Sequence, residues 1–259
     1  MFIVSLSRRF RSTFVASLAL GLALALAPSA MARDLYMISV GITNAKGQPH
    51  LSATAKDARD MAAWGHAQKG KLGLNVHIST LTDSNATKAH IVRAIEGLRS
   101  KVQPSDIVIF YDSSHGGLTK SGDFQMIAYD GGLTFQEICA AFKGVRGTKV
   151  TVFDACHSGA AATSGFGSEL VVFAASRANE LSFDGAAKTN SVFTKHFLAG
   201  INGKADYNKD HAVTFGEAAR YTAARLNDFD KSRPANKQQH LVWSLPTGTP
   251  ATLFISRMR

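Results

Sequence analysis

Only two of the 259 residues are cysteines, Cys139 and Cys156, so at most one disulfide can form. No apolar run is long enough to cross a bilayer. The longest, Phe14 to Ala27, has fourteen residues and spans about 21 Å as a helix, against a hydrocarbon core of about 30 Å. No internal repeat is visible. The formal charge is +10, yet the Lys and Arg residues are scattered. No aromatic-interleaved basic stretch or nucleic-acid-binding motif accompanies them, and the sequence points to no nucleic-acid partner.

The amino terminus has the layout of a secretory signal peptide. Arg8, Arg9 and Arg11 precede the apolar stretch, and Pro28 and Ala30-Met31-Ala32 follow it, so cleavage is expected after Ala32. Ser7-Arg8-Arg9 invites a twin-arginine reading, but Arg11 sits where that signal turns apolar, and the general export route fits better. No Cys lies near the cleavage point to carry a lipid anchor. The expectation is an exported protein, periplasmic or secreted, with no stable membrane anchor. Residues 1–32 are the signal peptide and residues 33–259 one domain. Cleavage removes three arginines and no acid, leaving 26 basic residues against 19 acidic ones, a formal +7.

Strand-like runs recur at Leu35 to Val40, Leu74 to Ile78, Ile107 to Tyr111, Val150 to Phe153 and Leu170 to Ala174. Helical patterns alternate with them. One covers Ala53 to Ala67, a second carries Ile91, Ile95 and Leu98, and a third starts at Phe135. This alternation predicts βαβ crossovers, an α/β fold with a mostly parallel sheet and helices on both faces. Two more helices are predicted near Val192 to Leu198 and Phe215 to Leu226, then a tail strand at Leu241-Val242-Trp243 or Leu253-Phe254-Ile255. The segments Ser158 to Gly167 and Ser176 to Asn190 read as mobile loops that resemble specificity loops more than linkers.

Cys139 falls on the pattern Phe135, Ile138, Cys139, Phe142, which predicts a buried, inert thiol on a helix face. Cys156 is then a free thiol in an oxidising compartment. It sits in Asp154-Ala155-Cys156-His157-Ser158-Gly159, directly after one strand-like run, while Ser113-Ser114-His115-Gly116-Gly117 follows another. Neighbouring parallel strands lie about 4.8 Å apart, so residues past their carboxyl ends face one crevice. There His115 can take the proton of Cys156 and lower the thiol pKa, and the amides of Gly116 and Cys156 can form an oxyanion hole.

At these residues the chain resembles the caspase-like cysteine peptidases, most closely their bacterial metacaspase-like branch. Asp154 to Gly159 matches the nucleophile motif without a gap, and Phe110 to Gly116 corresponds to the strand ending in Ser-Gly-His-Gly. Val40-Gly41-Ile42, Leu51 to Ala58, Asn190 to Gly203 and Ala205 to Glu217 extend the likeness through most of residues 33–259. Ser114 replaces the usual glycine before the histidine, and Asp112 stands where the family prefers an aromatic or apolar residue. The resemblance implies a single caspase-like domain, a Cys156/His115 dyad, and a primary pocket lined by Asp57 and Asp154. Two carboxylates there favour Lys or Arg and repel Asp. Without the resemblance, Asp57 reads as an exposed helical acid among Lys56, Arg59 and Asp60.

The leading expectation is an exported cysteine endopeptidase acting on protein or peptide substrates after Arg or Lys, through an acyl-enzyme. The alternatives are a catalytically weak caspase-like binding or scaffolding protein, to which Ser114 and Asp112 point, and a nonpeptidase thiol enzyme. No cofactor is required by this chemistry, but calcium is a candidate ligand. Asp206, Asn208, Asp210, Thr214 and Glu217 stand at positions 1, 3, 5, 9 and 12 of a twelve-residue loop, the EF-hand spacing. His211 occupies the sixth position, which calls for glycine. The same residues admit a metal-free reading, in which Thr214 and Glu217 form a capping box.

Overall fold

A computed structural model describes residues 33–71, 75–164, 166–186, 188–249, 251 and 254–258. Residues 1–32, read above as a signal peptide, therefore lie outside the described residues. Five strands form the main sheet: the largely buried β1 (Leu35–Gly41), β3 (Ile107–Ser113), β7 (Thr148–Asp154) and β8 (Leu170–Ala174), and the more polar edge strand β2 (Val76–Thr82). They are mutually parallel, and the short β10 (Val242–Ser244) joins antiparallel at the edge, giving the order β10-β8-β7-β3-β1-β2. Every residue of β1, β3 and β8 is buried, as expected where helices cover both faces of a parallel sheet.

Side-chain alternation divides the core into two layers. Val108, Phe110 and Phe153 face α2 (Lys88–Glu96) and α3 (Phe135–Phe142), whose Ile91, Ile95, Ile138 and Phe142 complete that layer. Ile107, Ile109, Tyr111, Val150 and Val152 face the other way. They meet Met61 and Trp64 of α1 (Thr54–Ala67), Phe193 and Phe197 of α5 (Val192–Ala199), and Phe215 and Leu226 of α6 (Phe215–Asp230). Among the described residues no helix is long and apolar enough to cross a membrane.

Several elements differ from the sequence reading. The second strand runs on past Ile78 to Thr82, because Val76–Thr82 pairs with β1 from Leu35↔Val76 to Gly41↔Thr82, while Leu74 of the expected run lies outside the described residues. Leu98 lies beyond α2, which ends at Glu96 with Gly97 as its C-cap. Between β3 and α3 lies an unforeseen three-stranded sheet: β4 (Gly116–Leu118), β5 (Phe124–Ala128) and β6 (Gly131–Thr134). These strands are three to five residues long, too short for periodicity to register. The Gly/Ala/Ser segment after Cys156 contains a short helix, α4 (Gly159–Thr163). Both tail segments contribute to strands: Val242 and Trp243 to β10, and Phe254 and Ile255 to β11 (Phe254–Arg257), which pairs with β9 (Ala212–Thr214), while Leu253 lies outside the described residues. Cys139 is half-buried rather than fully buried. Its thiol is pushed up to about 12 by burial, and both cysteines are free.

Candidate active site

The carboxyl ends of β1, β3 and β7 are level, since Gly41 pairs in register with Ser113, and Ser113 with Asp154. The chain therefore leaves two adjacent strands side by side, carrying His115 from one and Cys156 from the other into a common cleft. Gly116 is forced by this approach. A Cβ on it would lie 2.2 Å from the Cys156 carbonyl oxygen, so only a residue without a side chain lets the two turns meet. After the cysteine, His157 adopts a left-handed φ of 62°. The strain of that turn is borne by its amide, bonded to Glu180 O at 2.9 Å, and by its ring Nδ1, 2.8 Å from Ala178 O.

His115 and Cys156 share the cleft, but among the described residues no hydrogen bond joins them. His115 Nε2 lies 2.8 Å from Pro49 O, an atom that only accepts, so this nitrogen carries a proton. The Cys156 sulfur is 3.4 Å from the Ser182 amide, which donates to it, and 3.7 Å from Ser182 O. Burial pushes the thiol above its usual pKa, the Asp154 charge adds to that, and the Ser182 amide opposes it. The expectation of a histidine-lowered thiol is thus not met in this arrangement, where desolvation outweighs the backbone donors.

Asp57 and Asp154 are both buried, which overturns the reading of Asp57 as an exposed helical acid. Asp57 accepts from Ser113 Oγ at 2.9 Å, Asn190 Nδ2 at 2.9 Å and Ser191 N at 3.2 Å. Asp154 accepts from Ser182 Oγ and Thr194 Oγ1, both at 2.7 Å, from Thr194 N at 3.2 Å, and from Ser191 Oγ. Ser191 thus bridges the two acids. Burial first, and then the charge of Asp154, push the Asp57 carboxyl up to about 7, and burial raises Asp154 as well. Asp154 lines the cleft directly, with Ser113 and Ser191, two of the three residues that bond the Asp57 carboxyl, beside it.

The loop from Ser176 to Asn190 supplies residues that sequence reasoning did not single out. Ser182, Phe183 and Asp184 line the cleft, and several contacts tie them down. Asp184 accepts from the amides of Ser52 and Ala53 just before α1, Phe183 N donates to Gln239 Oε1 at 3.0 Å, and Arg233 stacks 4.1 Å from the Phe183 ring. No local signal marks these partners, because they come from segments 50 or more residues away. With the loop in place, the cleft leaves about 30 Å³ open to a water-sized molecule, room for one or two waters.

The loop from Asp206 to Glu217 stands apart from this cleft. Asp206 accepts from the amides of Asp210 and His211, both at 3.1 Å, and Asp210 Oδ1 accepts from Ala212 N at 2.9 Å. Asn208 Nδ2 donates to Asp210 Oδ2 at 3.0 Å. His211 takes a left-handed φ of 65° in place of the glycine. Thr214 and Glu217 form both halves of the capping box of α6, with Glu217 Oε2 accepting from Thr214 N and Oγ1, both at 2.9 Å. Among the described residues no group of three or more His, Cys, Asp or Glu is placed to hold a metal ion.

Comparison with known proteins agrees with this architecture. The family model of the caspase domain matches residues 38–246. Metacaspase-1A of Aspergillus oryzae is 29% identical over 150 residues, covering 50% of this chain and 35% of that protein. Metacaspase-1A of Aspergillus niger is 29% identical over 150 residues, covering 50% of this chain and 36% of that protein. The match thus spans about a third of the length of these curated relatives. The crystal structure of a Geobacter sulfurreducens protein shares the fold at a TM-score of 0.65 and 18% identity, with 87% of this chain and 98% of that chain covered.

Proposed function

The chain belongs to the caspase-domain family of cysteine peptidases, and from that premise we propose that it is an exported endopeptidase cleaving after Arg or Lys, with Cys156 as nucleophile and His115 as general base and acid. The observation that carries the reading is the meeting of Cys156, His115 and Asp154 in one cleft at the carboxyl ends of β3 and β7. In the reaction, His115 keeps its Nε2–H on Pro49 O and takes the thiol proton on Nδ1, the ring nitrogen that this bond leaves as the acceptor. The Cys156 sulfur attacks the scissile carbonyl, and its new bond gives a tetrahedral oxyanion held by the Gly116 and Cys156 amides. Collapse breaks the C–N bond as His115 returns the proton to the leaving amine. Water, deprotonated by His115, then hydrolyses the thioester and frees the thiol.

Asp154 and, behind Ser113 and Ser191, Asp57 supply the negative charge that selects a basic side chain. A space of about 30 Å³ holds no such side chain, so substrate binding displaces Ser182 to Asp184. The export reading rests on the tripartite segment 1–32, with residues 33–259 as the peptidase domain.

A second reading, a caspase-fold binding protein without turnover, is favoured by the buried, raised Cys156 thiol and by the absence, among the described residues, of a hydrogen bond between Cys156 and His115. Peptide reporters with Arg, Lys or Asp before the scissile bond, tested on wild type, Cys156→Ala and His115→Ala, separate the two. The expected result is cleavage of the Arg and Lys reporters by wild type alone, with both variants folded and inactive and their losses not additive. Faster cleavage of the Asp reporter overturns the specificity, and near-normal activity in either variant overturns the dyad. Iodoacetamide alkylation supplies a control without turnover, since an activated Cys156 reacts faster than the unactivated thiol of the binding protein.

A further inference from the structure

Asp112 is the penultimate residue of β3, and its register partners are Val40 on β1 and Phe153 on β7. All three are fully buried, and Val40 and Phe153 belong to the apolar layer under α2 and α3. Among the described residues the Asp112 carboxyl has one hydrogen-bond partner, Ser114 Oγ at 3.0 Å, and its Oδ1 has none. Burial pushes this carboxyl well above the usual carboxylate range, and the charge of Asp154 acts in the same direction. An ionised carboxylate in apolar surroundings with a single hydroxyl partner is strongly disfavoured.

Proton counting gives the same answer from geometry alone. Ser114 Oγ lies 3.0 Å from Asp112 Oδ2 and 2.9 Å from His115 O. A hydroxyl has one proton to give. If Asp112 were ionised, both neighbours of Ser114 would be acceptors, and one of the two contacts would lack a proton. If Asp112 is an acid, its O–H donates to Ser114 Oγ, the Ser114 O–H donates to His115 O, and both contacts are served.

The His115 carbonyl also accepts from Ile127 N at 2.8 Å, so it is held from two sides. That carbonyl and the Gly116 N–H belong to one trans peptide and point in opposite directions. The Ile127 bond and the pairing of Gly116 with Met126 put Gly116 in the kind of antiparallel pair whose own N–H faces away from the partner strand. Gly116 packs against Cys156, where an added Cβ would lie 3.0 Å from the Cys156 nitrogen.

We propose that Asp112 is a neutral buried acid which, through Ser114, fixes the His115–Gly116 peptide and so aims the Gly116 N–H at the oxyanion formed when Cys156 attacks. Asp112 and Ser114 are positioning residues, and their role rests on the reading of Gly116 as an oxyanion donor. The two residues that depart from the resemblance thus act as one feature, each supplying what the other needs.

The test compares Ser114→Ala, Asp112→Ala and Asp112→Asn in the full chain. The oxyanion is absent from the bound substrate and develops only as Cys156 attacks, so Ser114→Ala and Asp112→Ala are expected to lower kcat for the Arg reporter by about tenfold or more, with KM held within about twofold. Asp112→Asn, whose amide donates to Ser114 as the acid does, keeps kcat within about threefold of wild type. Alkylation of Cys156 by iodoacetamide forms no oxyanion and proceeds at the wild-type rate in all three. The infrared difference spectrum between wild type and Asp112→Asn at neutral pH contains the carbonyl stretch of a protonated carboxylic acid.

An unchanged kcat in Ser114→Ala overturns the relay, as does a parallel fall in its alkylation rate. A missing acid band, or an Asp112→Asn as impaired as Asp112→Ala, overturns the neutral acid. Should Asp112→Ala fail to fold, Ser114→Ala, Asp112→Asn and the infrared band decide. Should wild type cleave no reporter, the peptidase reading fails. The band and a higher melting temperature for Asp112→Asn than for Asp112→Ala then still support the neutral acid, and their absence overturns it.

Discussion

Asp57 meets two opposing demands. In the proposed specificity, recognition of a basic side chain needs its charge, while burial and the neighbouring Asp154 push its carboxyl up to about 7 from an ordinary 3.8. Hydroxyls and amides, not cations, hold it, and they only partly offset desolvation. Because the folded state binds this proton more tightly than the unfolded chain, the Asp57 contribution to stability is full below about pH 4 and is lost as pH rises to about 7, with a limiting slope of about 1.4 kcal/mol for each pH step of one. Urea unfolding of Asp57→Asn against wild type checks the sign. The variant is expected to gain stability relative to wild type between about pH 5 and about pH 8. On the same basis, kcat/KM for the Arg reporter rises through about pH 7 in wild type, and Asp57→Asn loses that rise.

At the scale of elements, caps and loop ties decide where the chain turns toward the cleft. Thr134 and Thr214 each begin a helix with a complete capping box, and Thr87 caps α2 through His90 N at 3.2 Å. Thr214→Ala is expected to cost about 1 kcal/mol, within about 0.5–2, in urea unfolding. Since Glu217 already serves Thr214, that cost is expected to be the same with and without millimolar calcium. A calcium-dependent heat in wild type that vanishes in Asp206→Ala would assign the loop to the ion instead. The Ser176 to Asn190 loop is tied in another way, with Asp184 serving the two amides that precede α1. Those ties hold Ser182 against Cys156.

At the scale of the molecule, the two apolar layers meet the site through the strands themselves. Phe153 is the clearest link. Its ring packs 5.9 Å from Phe110, 5.0 Å from Phe124 and 5.8 Å from Phe135, and the next residue is Asp154. Phe153→Ala is expected to cost about 3–5 kcal/mol, read as a fall in the urea midpoint, and to lower activity more than its stability loss alone explains. The signal-peptide proposal belongs to this scale too. Mass spectrometry of protein recovered outside the cytoplasm is expected to find a chain beginning at Arg33, and recovery of residues 14–27 in that chain would contradict it.

Sequence alone determined the parallel α/β sheet, because strands buried on both faces read as unbroken apolar runs such as Ile107 to Tyr111 and Leu170 to Ala174. It also determined that Cys156 and His115 follow adjacent strands, because a strand's exit is a local feature with its own glycines. Tertiary structure alone decided the rest. The β4-β5-β6 sheet consists of strands too short to carry a period. The burial of Asp57 depends on Ser113, Asn190 and Ser191, 56 to 134 residues away. The hydrogen bonds of Cys156 go to Ser182, 26 residues on. Hydrophobic periodicity reports which side of an element faces the core, a property of neighbours along the chain. The protonation and reach of a buried polar group depend on the dielectric and donors around it, which exist only once distant segments have packed together.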